Sequence, residues 1–189
     1  MHGFAGNSLP LVRGWRLLSS IDRSRWTERL TSSLQRTALW EDNCANWPQS
    51  IGKHRPGRTS MLVQHCHGAP GIVNCFAEFP DPAIDSLLNA AGEMTWRAGP
   101  LRKGAGLCHG KAGNGFAFLK LFRRTGDTQW LDRGRLFAMH AIEQYHTQLF
   151  TFLPAGGMEQ FISESPAICV AALRSTGMAA FPASPRSMV

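Results

Sequence analysis

Residues 109–127, HGKAGNGFAFLKLFRRTGD, decide the fold class of this chain. The segment opens on a glycine-rich turn, continues as the apolar run FAFLKLF, and ends at Gly126, which is followed by Asp127. A glycine commonly ends a helix, and an aspartate just beyond it can cap the next one. The segment therefore predicts a helix over 115–123 that is too apolar to face water, and a second helix over 128–146.

The glycine-rich turn occurs three times in the chain. The pattern H-G-x-[AP]-G occupies residues 2–6, 67–71 and 109–113. Apolar residues recur every three to four positions in 26–39 and in 85–96, which is the spacing of amphipathic helices. Each copy of the turn is thus followed by an apolar helix and then by a more amphipathic one. This order predicts an array of helical hairpins with one glycine-rich turn per repeat, and therefore an all-α fold class.

Composition limits the classes of protein to which the chain can belong. It has 189 residues, of which 43% are hydrophobic and 17% charged, against about 25% charged in a typical soluble domain. Six Trp and eleven Phe argue against disorder. The net charge of +7 comes from 20 basic and 13 acidic residues, but we expect no nucleic-acid partner. No apolar run is long enough to span a membrane, and five cysteines at low density favour the reducing cytoplasm.

Outside the helical patterns, residues 41–60 are polar and rich in Gly and Pro, which predicts a long loop. The only weak strand candidate is 59–64, TSMLVQ. The arginines at 123–124 and 133–135 are typical of solvated helix faces. Residues 1–189 should form part of a single domain.

Two of the three turns carry a cysteine directly before the histidine: Cys66 precedes His67, and Cys108 precedes His109. Cysteine and histidine are the preferred ligands of zinc. Two cysteines and one histidine would leave a fourth position open, as in catalytic sites. Spacing alone fits equally well with two small buried cysteines and two histidines that cap turns. Either histidine, His67 or His109, could supply the nitrogen, the other being a pocket residue.

The turns have a second expected property. Glycine permits the close approach of a loop to the start of a helix. Helix starts present unpaired N–H groups, which favour an anion or a developing negative charge. A glycosidase-like helical toroid is a minor alternative. It is disfavoured because the turns contain no pair of acidic residues.

Two segments, VQHCHGAPGI (63–72) and GPLRKGAGLCHGKAGNGFAFLKLFRRTGD (99–127), resemble the signature blocks of lanthionine synthetase C-like (LanC-like) proteins. HGFAGN (2–7) resembles an earlier block of the same family. The resemblance implies an α/α toroid of inner and outer helices around a Zn²⁺ ion. It implies thioether formation, in which a thiol adds to dehydroalanine or dehydrobutyrine. The partners would be a dehydrated peptide or protein and a thiol, either a cysteine or glutathione.

Carried over residue by residue, the resemblance makes Cys66, Cys108 and His109 the zinc ligands. It places the acid/base histidine at His2, with His67 as a second candidate catalytic histidine in the pocket. Lys103 falls on the lysine associated with binding of the thiol substrate. No residue matches the catalytic aspartate of the family.

The sequence also departs from the family. Residues 150–189 carry little of the family pattern, which indicates either a divergent C-terminal part or a change of reading frame. The family's members are about twice as long, so we expect an N-terminally truncated chain that forms an open arc of the closed barrel, with exposed apolar faces that favour self-association. His65 precedes Cys66 where the family usually has Trp, which indicates either a changed pocket or an additional imidazole near the metal. A catalytically inactive or split fragment that acts as a binding or structural piece is therefore the alternative to a lanthionine cyclase-like or glutathione transferase-like enzyme.

Overall fold

The computed structural model describes residues 3–51, 61–100 and 104–151. These residues form six α-helices and two short strands, so the all-α fold class is confirmed. The helices are α1 (Gly3–Arg13), α2 (Ser20–Thr37), α3 (Ala69–Phe76), α4 (Asp85–Arg97), α5 (Lys111–Thr125) and α6 (Thr128–Thr151). The strands are β1 (Leu39–Glu41) and β2 (Cys44–Asn46).

Helices α1, α3 and α5 form one layer, because α3 packs against both of the others. Helix α4 packs on α3 and helix α6 packs on α5, so each forms a hairpin with the helix that precedes it. Helix α2 adds Leu30 and Leu34 to the same buried core. The arrangement is a two-layer row of helical hairpins, which corresponds to the expected partial α/α toroid.

Two of the glycine-rich turns lead directly into α3 and α5. Gly68, with a φ of 107°, is the N-cap of α3, and Gly110 is the N-cap of α5. Gly126 ends α5 in the left-handed conformation, and Asp127 Oδ1 accepts a hydrogen bond from Gln129 N at 2.9 Å. The predicted stop and cap between α5 and α6 are therefore present, although α5 begins at Lys111, four residues before the predicted start at 115.

Aromatic side chains fill the space between the helices. All eight residues of α3 are buried, as expected for a short helix with neighbours on every side. The ring of Phe118 stacks on Trp130 at a centroid distance of 5.9 Å and meets Phe137 edge-on at 5.1 Å. Such pairs add about 0.5–1.5 kcal/mol each beyond the area that they bury. The α5–α6 hairpin is thus held by a compact aromatic cluster.

Two arginines that the sequence predicted to be solvated are largely buried, so that prediction was wrong for them. The Arg124 side chain, 13% exposed, pairs with Asp85 and donates to the carbonyl oxygens of Ala77 and Phe79 that follow α3. The Arg133 side chain, 12% exposed, donates to Glu93 Oε1 at 2.7 Å and lies 4.9 Å and 4.8 Å from the rings of Trp96 and Trp130. Partners that are distant in sequence decide the burial of both.

The β-hairpin at 39–46 was not predicted from the sequence. Strands β1 and β2 pair antiparallel across the two-residue turn Asp42-Asn43, in which Asp42 has a φ of 54°. Asp and Asn tolerate this conformation, so this dipeptide was the signal that was missed. Strand β2 lies within the loop expected over 41–60, of which 52–60 are outside the described residues. Of the weak strand candidate, the structure describes 61–64, where Gln64 forms an isolated bridge with His67.

The described helices include none that is long and apolar enough to cross a lipid bilayer. The expected divergent C-terminal part falls, from residue 152 onward, outside the described residues.

Candidate metal centre

The turn before α3 presents Cys66 on a closed loop. The backbones of Gln64 and His67 exchange two hydrogen bonds, each of 3.0 Å, so residues 64–67 form a tight turn with Cys66 at its third position. Cys66 N in addition donates to Cys108 O at 3.2 Å. The second cysteine turn is therefore fastened directly to the first.

The glycines of both turns allow the preceding loop to lie against the helix start. A Cβ added at Gly68 or Gly71 would collide with the carbonyl oxygen of Leu62 or His65, respectively. In the second turn, a Cβ at Gly110 would collide with Gly104 O, and one at Gly113 with Leu107 O. Each glycine thus faces the carbonyl six residues before it in the chain. No other residue type fits these four positions without displacement of the loop.

The two turns bring together the thiols of Cys66 and Cys108 and the imidazole of His109. One ligand atom from each residue lies within 4.8 Å of the other two. Cys66 is 7% exposed, whereas Cys108 and His109 face solvent. A group that is buried on one side and open on the other can hold an ion and still admit a substrate.

The donor set suits zinc. A tetrahedral zinc lies about 2.3 Å from sulfur and about 2.0 Å from nitrogen, which places its ligand atoms about 3.8 Å apart. The 4.8 Å limit of this group is close to that spacing. Three protein donors leave a fourth position for a substrate, which is the arrangement of catalytic rather than structural zinc sites.

The sulfur of Cys66 has two further neighbours. Gln64 Nε2 donates to it at 3.1 Å, and His67 Nδ1 lies 3.0 Å from it. Burial raises the pKa of the Cys66 thiol, while the Gln64 hydrogen bond acts in the opposite direction. Cys108 Sγ lies 3.7 Å from His109 Nε2 of the same cluster.

Three buried asparagines position the turns, and sequence reasoning missed them. Asn46 on β2 accepts from Ala69 N at 2.8 Å and donates to Leu62 O at 3.2 Å. Asn114 on α5 donates to Val63 O at 3.2 Å, and Asn74 on α3 donates to Gly113 O at 3.1 Å. Asn114 belongs to the HGKAGN block, so its place next to the last glycine was the available signal.

His65 is not a member of the metal-ligand group. Its Nδ1 lies 2.7 Å from the Nδ2 of Asn74, and burial lowers its pKa to about 4, so the ring is neutral near pH 7. Of the two expectations for this residue, an additional imidazole at the metal is therefore not supported. His65 instead packs against Gly113, since a Cβ added at Gly113 would collide with the Cβ of His65.

The expected anion site at the helix starts is not present at α3. Ala69 N is bound by Asn46 Oδ1, and the N–H groups of Gly71 and Ile72 both donate to Gly68 O. At α5, Lys111 N donates to Gly104 O and Ala112 N to Ala105 O. At α5, carbonyls of the loop that the glycines bring close accept from these N–H groups, whereas at α3 the acceptors are the Asn46 side chain and Gly68 O. For these two turns the expectation was wrong, because it did not include the acceptors that neighbouring residues supply to the N–H groups at the helix starts.

The other predicted site residues fall in different places. His67 contacts Cys66 Sγ but is not a member of the metal-ligand group. His2 and Lys103 lie outside the described residues. A cavity of about 610 Å³ lined by Cys44, Trp96, Phe137 and His140, among others, shares no lining residue with the cluster.

Comparison with known proteins agrees with the three sequence blocks. The sequence model of the family described as lanthionine synthetase C-like protein matches residues 2–167. Glutathione S-transferase LANCL1 of Danio rerio is 38% identical over 97 residues, which are 49% of this chain and 23% of that protein. LanC-like protein GCL1 of Arabidopsis thaliana is 37% identical over 108 residues, which are 52% of this chain and 23% of that protein. The matched segments thus cover about a quarter of the length of these relatives. Because the family match extends over most of the sequence, the chain belongs to the lanthionine synthetase C-like family.

Proposed function

We propose that this chain takes part in zinc-dependent addition of a thiol to a dehydrated amino acid. The observation that carries the proposal is the meeting of two thiols and one imidazole, with ligand atoms within 4.8 Å of one another, at the junction of two family-specific turns. The matched segments cover 23% of each relative, so the activity of a whole LanC-like protein is part of this proposal.

The ligands in this proposal are Cys66, Cys108 and His109. When bound there, zinc supplies the Lewis acidity that keeps a substrate thiol deprotonated near neutral pH. Cys66 fixes the site to the buried turn, and the exposed Cys108 and His109 border the side from which a substrate enters. Free thiols at positions 44, 66, 75 and 108 suit a reducing compartment such as the cytoplasm.

The reaction adds one thiol across one carbon–carbon double bond. The thiolate forms a bond to the β-carbon of dehydroalanine or dehydrobutyrine, the π-electron pair moves onto the carbonyl as an enolate, and a proton then binds the α-carbon. The thiol proton and the α-carbon proton balance, so no oxidant or reductant is needed. We assign the proton transfer to an imidazole because its pKa is close to neutral pH. His67, at the same turn as Cys66, and His2 are the candidates.

Glutathione is the thiol that we favour. One relative is named a glutathione S-transferase, and Lys103 stands in the block that the family associates with binding of the thiol substrate. A cysteine within a dehydrated peptide, which would give a lanthionine ring, is the other thiol with the same chemistry.

Two measurements on the purified full chain test the proposal. Elemental mass spectrometry should find about one zinc per chain, and Cys108→Ala should reduce it to near zero. Mass spectrometry should also detect a glutathione adduct on a dehydroalanine peptide with the native chain and not with Cys108→Ala. Cys44→Ala, which removes a buried thiol outside the cluster, is the matched control and should keep its zinc.

Folded native chain that takes up no zinc from a stoichiometric supply would overturn the proposal. Zinc binding without adduct formation would instead favour the alternative of a split or inactive piece that retains only the binding site.

A further inference from the structure

The two sulfurs of the candidate zinc site have different surroundings. Gln64 Nε2 donates to Cys66 Sγ at 3.1 Å, and the Gln64 residue is only 3% exposed. The equivalent position in the second turn, two residues before Cys108, is Gly106, which has no side chain to donate. Cys108 Sγ lies 3.7 Å from Nε2 of His109 and also interacts with the Cys66 thiol, and both of these residues are members of the cluster.

Gln64 is held so that its amide reaches the sulfur. Both backbone polar groups of Gln64 bond to His67, which fixes the residue at the first position of the tight turn. Its side chain is therefore positioned on the same rigid loop as the sulfur that it contacts. Groups that donate to a ligand orient it and adjust the electron density that it offers to the metal.

We propose that Gln64 is a positioning residue that orients the Cys66 sulfur and reduces its electron donation to zinc. The inference rests on the proposed function, since it requires the metal to be bound at this cluster. Two thiolates make a zinc ion a weaker Lewis acid, and an N–H donor on one of them partly restores that acidity. Cys66 is thereby the anchored, attenuated ligand, and Cys108 is the exposed ligand, which lacks an amide at the equivalent position because residue 106 is glycine.

Cobalt(II) provides a readout that a purely structural role for Gln64 would not change. Co²⁺ replaces Zn²⁺ in tetrahedral sulfur sites and shows a sulfur-to-cobalt charge-transfer band. Removal of an N–H donor raises the energy of the sulfur lone pair, so the band should move to lower energy in Gln64→Leu. Competition with a chelator should show metal affinity reduced about tenfold, the lower end of the range for residues that support a ligand.

Gln35→Leu is the matched control. The Gln35 amide lies on α2 and donates only weakly, at 3.5 Å, to Ala83 O, so the band and the affinity should stay at native values. Gln64→Met, which is unbranched and of similar length, provides the same test with less steric change if the leucine variant does not fold by circular dichroism.

The results separate the two proposals. Native chain that binds no Co²⁺ or Zn²⁺ contradicts the proposed function itself. Native chain that binds the metal, together with a folded Gln64 variant whose band and affinity equal the native ones, overturns the role of Gln64 and leaves the zinc site intact. A shifted band with weakened affinity, absent in Gln35→Leu, supports the role.

Discussion

The turns at 62–71 and 104–113 have the same construction but unequal anchoring. In both, two glycines face the carbonyls six residues earlier, and a Cys-His pair precedes the first glycine. The first turn is closed by the Gln64–His67 bridge and bound by Asn46 from the β-hairpin. The second presents its cysteine and histidine to solvent. One repeated motif thus yields a fixed ligand and an accessible pair of ligands, and contacts from outside the motif make the difference.

The largest expected effect comes from removal of the close approach that the turns share. Gly113→Ala should destabilise the fold by about 3 kcal/mol, because the added Cβ would collide with Leu107 O and the Cβ of His65. Relief of this collision requires a displacement of the backbone at Leu107, which is costly. Urea unfolding measures the change. Gly106→Ala, in the same turn with nothing within 4 Å of its Cβ, is the control and should be nearly neutral. Equal stabilities of the two variants would contradict the packing account.

The anchoring of the first turn can be broken separately. Asn46→Ala leaves Ala69 N and Leu62 O without their side-chain partner and should cost about 2 kcal/mol of unfolding free energy. Asn114→Ala removes one hydrogen bond, to Val63 O, and should cost about 1 kcal/mol. Urea unfolding of both variants, compared with the native chain, checks this order. The reverse order would show that the β-hairpin is not the main support of the first turn.

Thiol reactivity should report the unequal exposure of the two cysteines. In metal-free chain, iodoacetamide should modify Cys108 about tenfold faster than Cys66, since Cys66 is 7% exposed and Cys108 faces solvent. Peptide mapping by mass spectrometry gives both rates. Saturating zinc should protect both residues and leave the rates at the remaining thiols unchanged. Comparable rates for Cys66 and Cys108 without metal would remove the distinction between a fixed and an accessible ligand.

The smallest effect is expected at an ion pair remote in sequence from the cysteine turns, between α5 and the residues that follow α3. Lys120 on α5 pairs with Glu78 just after α3, and its hydrogen bond lowers the pKa of the Glu78 carboxyl. A lowered folded-state pKa means stabilisation that is present above the ordinary value of 4.5 and is lost as pH falls through the folded pKa. The Glu78 side chain is 50% exposed, so the contribution should be below about 1 kcal/mol.

Unfolding of native chain and Glu78→Gln at pH 7 and pH 3 tests this pair. The difference in unfolding free energy between the two proteins should be smaller at pH 3 than at pH 7, while zinc binding at pH 7 stays the same. A loss of zinc in Glu78→Gln would mean that this ion pair and the zinc site are coupled.

Much of this architecture could be predicted from sequence because its signals are local. The turns begin α3 and α5, Gly126 and Asp127 separate α5 from α6, and the apolar periodicity marks α2 and α4. Steric freedom at glycine and helical spacing act within a few residues, so a single sequence reveals them. The Cys-His pairs at the turns likewise marked the candidate ligands before their distances were known.

Contacts between segments distant in the chain could not be predicted from these local signals. Asn46 reaches a turn 23 residues away, Arg124 is buried against carbonyls 43 to 47 residues away, and the N–H groups at the start of α3 are already bound. The residue types and turn positions of the site follow from the sequence itself, because they depend on chemistry and local backbone geometry. Which imidazole joins the two thiols, which sulfur is buried and which amide supports it were decided only by packing, because these depend on how separate hairpins lie against one another.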